Sequence, residues 1–88
     1  MSGMDDEIKV IRAVLATVLD NGMTADEISA DADIVVEYGI DSLQMISFLL
    51  GIEDNFDLEL DYENLELDDL RSVRQFAGFV AGLRAPAL

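Results

Sequence analysis

The sequence contains no cysteine and no histidine, and these two absences remove most of the chemistry a small protein can perform unaided. Without cysteine there is no disulfide framework, zinc-thiolate site or thiol nucleophile. Without histidine the commonest general base and the commonest metal ligand are both missing, so the chain reads as a non-enzyme with no metal centre. Positive charge is almost as scarce. Lys9, Arg12, Arg71, Arg74 and Arg84 stand against 19 acids, giving a net charge of −14. No basic residue lies between Arg12 and Arg71, and every acid except Asp5, Asp6 and Glu7 falls in that interval. Such a chain repels nucleic acid and anionic membrane surfaces. It draws in a partner with a basic patch, and its self-repulsion predicts a fold that gains stability with salt. No stretch approaches the ~20 apolar residues of a membrane helix. The opening MSGMDDE lacks the apolar segment of a signal peptide, so a soluble, cytoplasmic monomer is expected.

Half of the 88 residues are hydrophobic, enough for one small folded domain over 1–88. Their spacing is helical. Asp5, Asp6 and Glu7 suit a first helix start, where carboxylates complement the dipole. Ile8, Ile11, Val14, Leu15, Val18 and Leu19 then form one apolar face, and Asn21 and Gly22 end it. Residues 23–40 form a long connection, with Thr24 and Glu27 able to cap a short turn and Ile34 and Val35 pinning its end. Beyond Phe56 an extended loop over about 57–63 is expected, despite the strand-like alternation of Leu58, Leu60 and Tyr62, because one short strand cannot stand alone. A short third helix near 64–70 follows. Ser72 with Gln75 then caps a final helix with an apolar face of Val73, Phe76, Ala77, Val80 and Leu83, and Arg84 and Pro86 suit its end.

The stretch Tyr38–Asp57 organises the rest. Asp41 is a good N-cap, Gln44 completes a capping box, and Ile40 and Met45 can form a hydrophobic staple. Ser42 is then the first helical residue, with no capping task of its own. It stands where free N–H groups and the helix dipole favour a negative group such as a phosphate ester. The apolar arc that follows is too wide for a core face alone. Met45, Phe48, Leu49, Ile52 and Phe56 suit a core. Leu43, Ile46 and Leu50 make a second stripe, fenced by Glu53, Asp54 and Asp57, which reads as a docking surface.

These residues carry a resemblance. The run GIDSLQMISFLLGIEDNF resembles the acyl carrier protein family, whose Asp-Ser-Leu motif presents a serine that receives 4'-phosphopantetheine. The resemblance implies an all-α, four-helix carrier-protein bundle of three longer helices plus a short third helix, with a long first loop. It also implies attachment at Ser42, with Asp41 and Leu43 as motif neighbours. A phosphopantetheinyl transferase would load the arm, and an acyltransferase, ketosynthase or acyl/aminoacyl ligase with a basic docking patch would use it. Val36 stands where the family often has an acid, and the connection before the third helix is about two residues long by comparison. Gln44 and Ser47 occupy positions that are often acidic in carriers for fatty acid synthesis. Their neutrality points to polyketide or other specialised-metabolite enzymes. Asp41 before the serine resembles an acyl more than a peptidyl carrier, and an aminoacyl or peptidyl carrier of a nonribosomal pathway, or a carrier for fatty acid synthesis, remains the alternative.

Two other classes are open to an acidic helical chain. An EF-hand window beginning at Asp57, with Glu59, Asp61 and Glu63, has Tyr62 where the loop glycine belongs and Asp68 in place of the final glutamate. A helical adaptor with no prosthetic group could use Leu43, Ile46 and Leu50 against a basic partner. Modification of Ser42 by coenzyme A and a transferase separates both from a carrier.

Overall fold

The computed structural model describes residues 5–61 and 63–84, and every regular element among them is helical. Helix α1 is Asp5–Leu19, α2 is Ile34–Tyr38, α3 is Ser42–Phe56 and α4 is Val73–Arg84. Single 3-10 turns lie at Ala25–Glu27 and Leu67–Leu70. Tyr62, of the strand-like alternation, and Pro86, beyond the final helix in the sequence, lie outside the described residues.

The core is one apolar cluster to which every helix contributes. Ile11 and Leu15 enter it from α1, Ile34 from α2, Phe48 and Ile52 from α3, and Val73, Phe76 and Val80 from α4, all fully buried. The rings of Phe48 and Phe76 meet at 5.4 Å between centroids, tilted by 42°. Each ring is large enough that truncation to alanine costs about 3–5 kcal/mol. Helices α1 and α3 cross closely at Gly51, where a Cβ would come within 2.8 Å of Val14 Cγ1. Only glycine admits that approach. Leu83, expected on the buried face of α4, is instead exposed.

The long connection after α1 is held at several points. Asp20 and Gly22 take the left-handed conformation that stops the helix. Glu27 Oε1 accepts the Thr24 N–H at 2.8 Å, as the capping pattern predicts. Ile28 is buried, and Arg12 Nε donates to its carbonyl at 2.7 Å. The Ser29 N–H donates to Tyr38 Oη at 2.9 Å. The Arg74 N–H donates to the Ala30 carbonyl, and its guanidinium meets Asp31 at 2.8 Å.

Two elements differ from expectation. Where a pinned loop end was predicted, residues 34–38 form α2. Asp33 Oδ1 accepts from the N–H groups of both Val35 and Val36 at 2.9 Å, and Gly39 closes the helix with φ 61°. One and a half turns are too few for periodicity to reveal. The helix expected near 64–70 contracts to the 3-10 turn. A separate turn, Asn64 N–H to Asp61 carbonyl, uses the residues before it, and Ser72 begins the cap of α4 directly after. A short helix thus precedes the central helix, and a short 3-10 helix follows it.

Candidate functional site

Helix α3 begins as the capping pattern predicts. Asp41 Oδ1 accepts the Gln44 N–H at 2.8 Å, and Gln44 Oε1 accepts the Asp41 N–H at 3.1 Å. Ile40 beneath the cap is buried and Met45 packs partly against the core. Ser42 is exposed at the first helical position. Its hydroxyl and the N–H groups of Ser42 and Leu43 are not engaged by any hydrogen bond among the described residues. A nucleophilic oxygen thus stands at the positive end of a 15-residue helix, beside donors that would meet an anionic ester.

The faces of α3 divide sharply. Phe48 and Ile52 are buried, with Met45, Leu49 and Phe56 beside them. Leu43, Ile46 and Leu50 are 76%, 55% and 56% exposed, large apolar side chains left in water along one stripe. Val36 on α2, upstream of the serine in the chain, is also exposed, at 79%. Its sequence signal was its place between buried Ile34 and half-buried Tyr38, which only the existence of α2 makes legible.

The acids expected along this stripe are not equivalent. Asp54 and Asp57 are exposed. Glu53 is half buried, and its Oε2 accepts the Leu60 N–H at 2.9 Å while its carbonyl accepts the Leu58 N–H at 3.1 Å. That residue holds the loop after α3 as well as contributing charge. Leu50, Glu53, Asp54, Asp57, Leu58 and Glu59 together line an acidic recess at this end of the helix. At the other side of α3 a groove of about 590 Å³ runs between α1 and α3, and Leu43 and Gln44, the two residues after Ser42, stand in its wall.

The class these features define is a small helical domain with an exposed serine at the head of its central helix. The family described as phosphopantetheine attachment site matches residues 9–80. An acyl carrier protein of Akkermansia muciniphila is 30% identical over 70 residues, 80% of this chain and 82% of the relative. One of Streptomyces coelicolor is 33% identical over 78 residues, 88% of this chain and 82% of that protein. One of Bdellovibrio bacteriovorus is 30% identical over 59 residues, covering 67% of this chain and 73% of its own length. No solved structure matches the chain. The chain belongs to the acyl carrier protein family, whose prosthetic group is 4'-phosphopantetheine and whose members carry substrates for partner enzymes instead of catalysing reactions themselves. No helix among the described residues is long and apolar enough to cross a membrane.

Proposed function

We propose that Ser42 is the attachment point of the 4'-phosphopantetheine arm and that this single carrier domain delivers acyl groups, held on the arm as thioesters, to polyketide or other specialised-metabolite enzymes. The observation that carries the assignment is the exposed Ser42 hydroxyl at the first position of α3, capped by Asp41 so that the serine itself has no capping task. The residues present fit the group. The N–H groups of Ser42 and Leu43 and the helix dipole complement a phosphodiester at Ser42 Oγ. In the loading reaction Ser42 Oγ attacks the phosphorus next to the pantetheine in coenzyme A and loses its proton to the transferase. The pyrophosphate bond breaks, and adenosine 3',5'-bisphosphate leaves. When bound, the group supplies a thiol on a flexible arm.

Docking is assigned to the outward stripe. Leu43, Ile46 and Leu50 supply buried contact area, and Asp54 and Asp57, with the remaining charge of Glu53, meet arginine or lysine on the partner. Such encounters are fast, weak and salt-sensitive. The neutrality of Gln44 and Ser47 supports dedicated partners over those of general fatty acid synthesis.

The test is mass spectrometry of the chain after incubation with coenzyme A, Mg²⁺ and a phosphopantetheinyl transferase. Fragmentation should place the added mass on Ser42 and not on Ser29 or Ser47. Offering the loaded protein a panel of activated malonyl, fatty acyl and aminoacyl groups then reads the cargo class. Reversing the charge of Asp54 and Asp57 should slow transfer and flatten its salt dependence, and unchanged rates would remove the docking assignment.

A further inference from the structure

The chain has three asparagines, Asn21, Asn55 and Asn64, and their surroundings differ in the way that decides how long a side-chain amide survives in water. Loss of the amide requires the backbone nitrogen of the next residue to reach the asparagine Cγ. A bulky side chain on that next residue obstructs the approach, and a hydrogen bond on the amide holds it away. Asn55 lies inside α3, its Nδ2 donates to the Gly51 carbonyl at 2.8 Å, and Phe56 follows it. Asn64 donates through Nδ2 to Asp61 Oδ2, and Leu65 follows it. Both amides are held.

Asn21 has none of these restraints. It is exposed just beyond the end of α1 at Leu19, and the residue after it is Gly22, which has no Cβ to shield its nitrogen. Gly22 is exposed as well, with φ 86°. The Gly22 N–H and Asn21 Nδ2 are not engaged by any hydrogen bond among the described residues. Asn21 Oδ1 accepts the Met23 N–H at 3.1 Å, a side-chain turn that closes around the intervening Gly22 nitrogen. The reacting atoms are therefore gathered by the fold and left open to solvent.

We propose that Asn21 is a site of spontaneous covalent modification, converting to aspartyl and isoaspartyl residues in the folded protein with water as the only co-reactant. Gly22 N attacks Asn21 Cγ, forming a C–N bond that closes a cyclic imide, and the bond from Cγ to the amide nitrogen breaks. That nitrogen leaves as ammonia with the proton given up by Gly22. Water then opens the imide at one of its two carbonyls, its hydroxyl going to the carbon and its proton to the Gly22 nitrogen. Opening at Cγ gives an ordinary aspartate. Opening at the main-chain carbonyl routes the backbone through Cγ and leaves isoaspartate. Either product is a carboxylate where a neutral amide stood. It lies next to Asp20 at the negative end of α1, whose last turn holds no basic residue, so the acid and the helix dipole both oppose it. The isoaspartyl form also lengthens the main chain by one atom and dismantles the turn to Met23, whose side chain packs against the core. The head of α3 is no part of this turn, so the change loosens the start of the long connection without consuming Ser42.

The test ages the full chain at mildly alkaline pH in heavy-oxygen water and follows intact mass and peptide maps. One heavy oxygen should enter the peptide containing Asn21, and an isoaspartyl methyltransferase with S-adenosylmethionine should methylate the same peptide. Conversion should run within about twofold of the rate in the guanidinium-unfolded chain, because an unprotected turn adds no barrier of its own. Asn21→Gln should stay unmodified over the same time, since its longer side chain closes a ring far more slowly. The aged wild type should melt below the fresh protein, and aged Asn21→Gln should melt with its own fresh sample. Slowing of about tenfold or more in the folded chain, the mark of a nitrogen held away from Cγ, overturns the site. Label that enters first at Asn55 or Asn64 overturns it as well. Converted protein that melts together with fresh wild type overturns the role given to the turn.

Discussion

Two helices in this molecule begin with an aspartate eight positions apart, and they begin in opposite ways. At α2, Asp33 Oδ1 takes two backbone N–H groups at once, and the residue after the cap, Ile34, is fully buried. At α3, Asp41 Oδ1 takes one N–H group, Gln44 returns the bond, and the residue after the cap is exposed Ser42. The cap residue is the same in both, so it cannot be the source of function. The difference is what the first helical position faces. A start turned inward anchors the chain, and a start turned outward leaves a hydroxyl in water.

The sharpest way to break this contrast is Ser42→Ala. Loading by the transferase should fall to nothing while the circular dichroism stays that of the wild type. Loading that persists on Ser47 would show that an outward helix start is not what the transferase reads. Next in size is Ile34→Ala, which should cost about 2–5 kcal/mol in urea unfolding because the side chain is wholly enclosed. The folded fraction of that variant should still load at Ser42. Smaller and more telling is the pair Asp33→Ala and Asp41→Ala. Each should cost about 1 kcal/mol as a lost cap, and only the second should also slow loading. Equal loading rates in the two would erase the distinction.

Legibility in the sequence followed the same division. The start of α3 could be read in detail because its signals are local: Asp41, Gln44, Ile40 and Met45 lie within one turn, and the structure forms the predicted bonds. The two stripes of α3 were readable because 15 residues allow a full wheel to be drawn. Helix α2 was not readable, since five residues give no period and its cap, Asp33, is one acid among many. The 3-10 turn at Leu67–Leu70 was overestimated as a helix because leucine spacing alone does not report that the preceding turn and the following cap have already taken the flanking residues. The helical wheel places Glu53 in the acidic fence. Its bond to Leu60 joins residues seven apart across a loop whose path the wheel does not contain. The α1–α3 groove depends on a close crossing at Gly51 that no single-helix pattern encodes.

The smallest effect concerns the latch between the long connection and α4. Asp31 is exposed, and its carboxyl is held below the ordinary carboxylate value, first by the hydrogen bond from Arg74 and then by the guanidinium charge. A lowered folded value means that the contact stabilises above the ordinary carboxylate range and is lost as pH falls through the lowered value. Asp31→Asn should therefore melt slightly below wild type near neutral pH, with the gap closing as the solution is acidified below the ordinary carboxylate range. A gap that stays constant with pH would show that the charge of Asp31 is not what holds Arg74, and the absence of any gap would show that the latch works through the Ala30 carbonyl alone.

The bond between the Ser29 N–H and Tyr38 Oη has a practical consequence. The sequence has no tryptophan and two tyrosines, so its near-ultraviolet emission is simple enough to assign. Tyr38 sits on the short helix just ahead of the start of α3, with its phenol tied to Ser29 within the long connection. Opening of that connection frees the phenol and changes its brightness and lifetime. The protein thus carries an optical gauge of its own, able to report movement around Ser42 without any added dye.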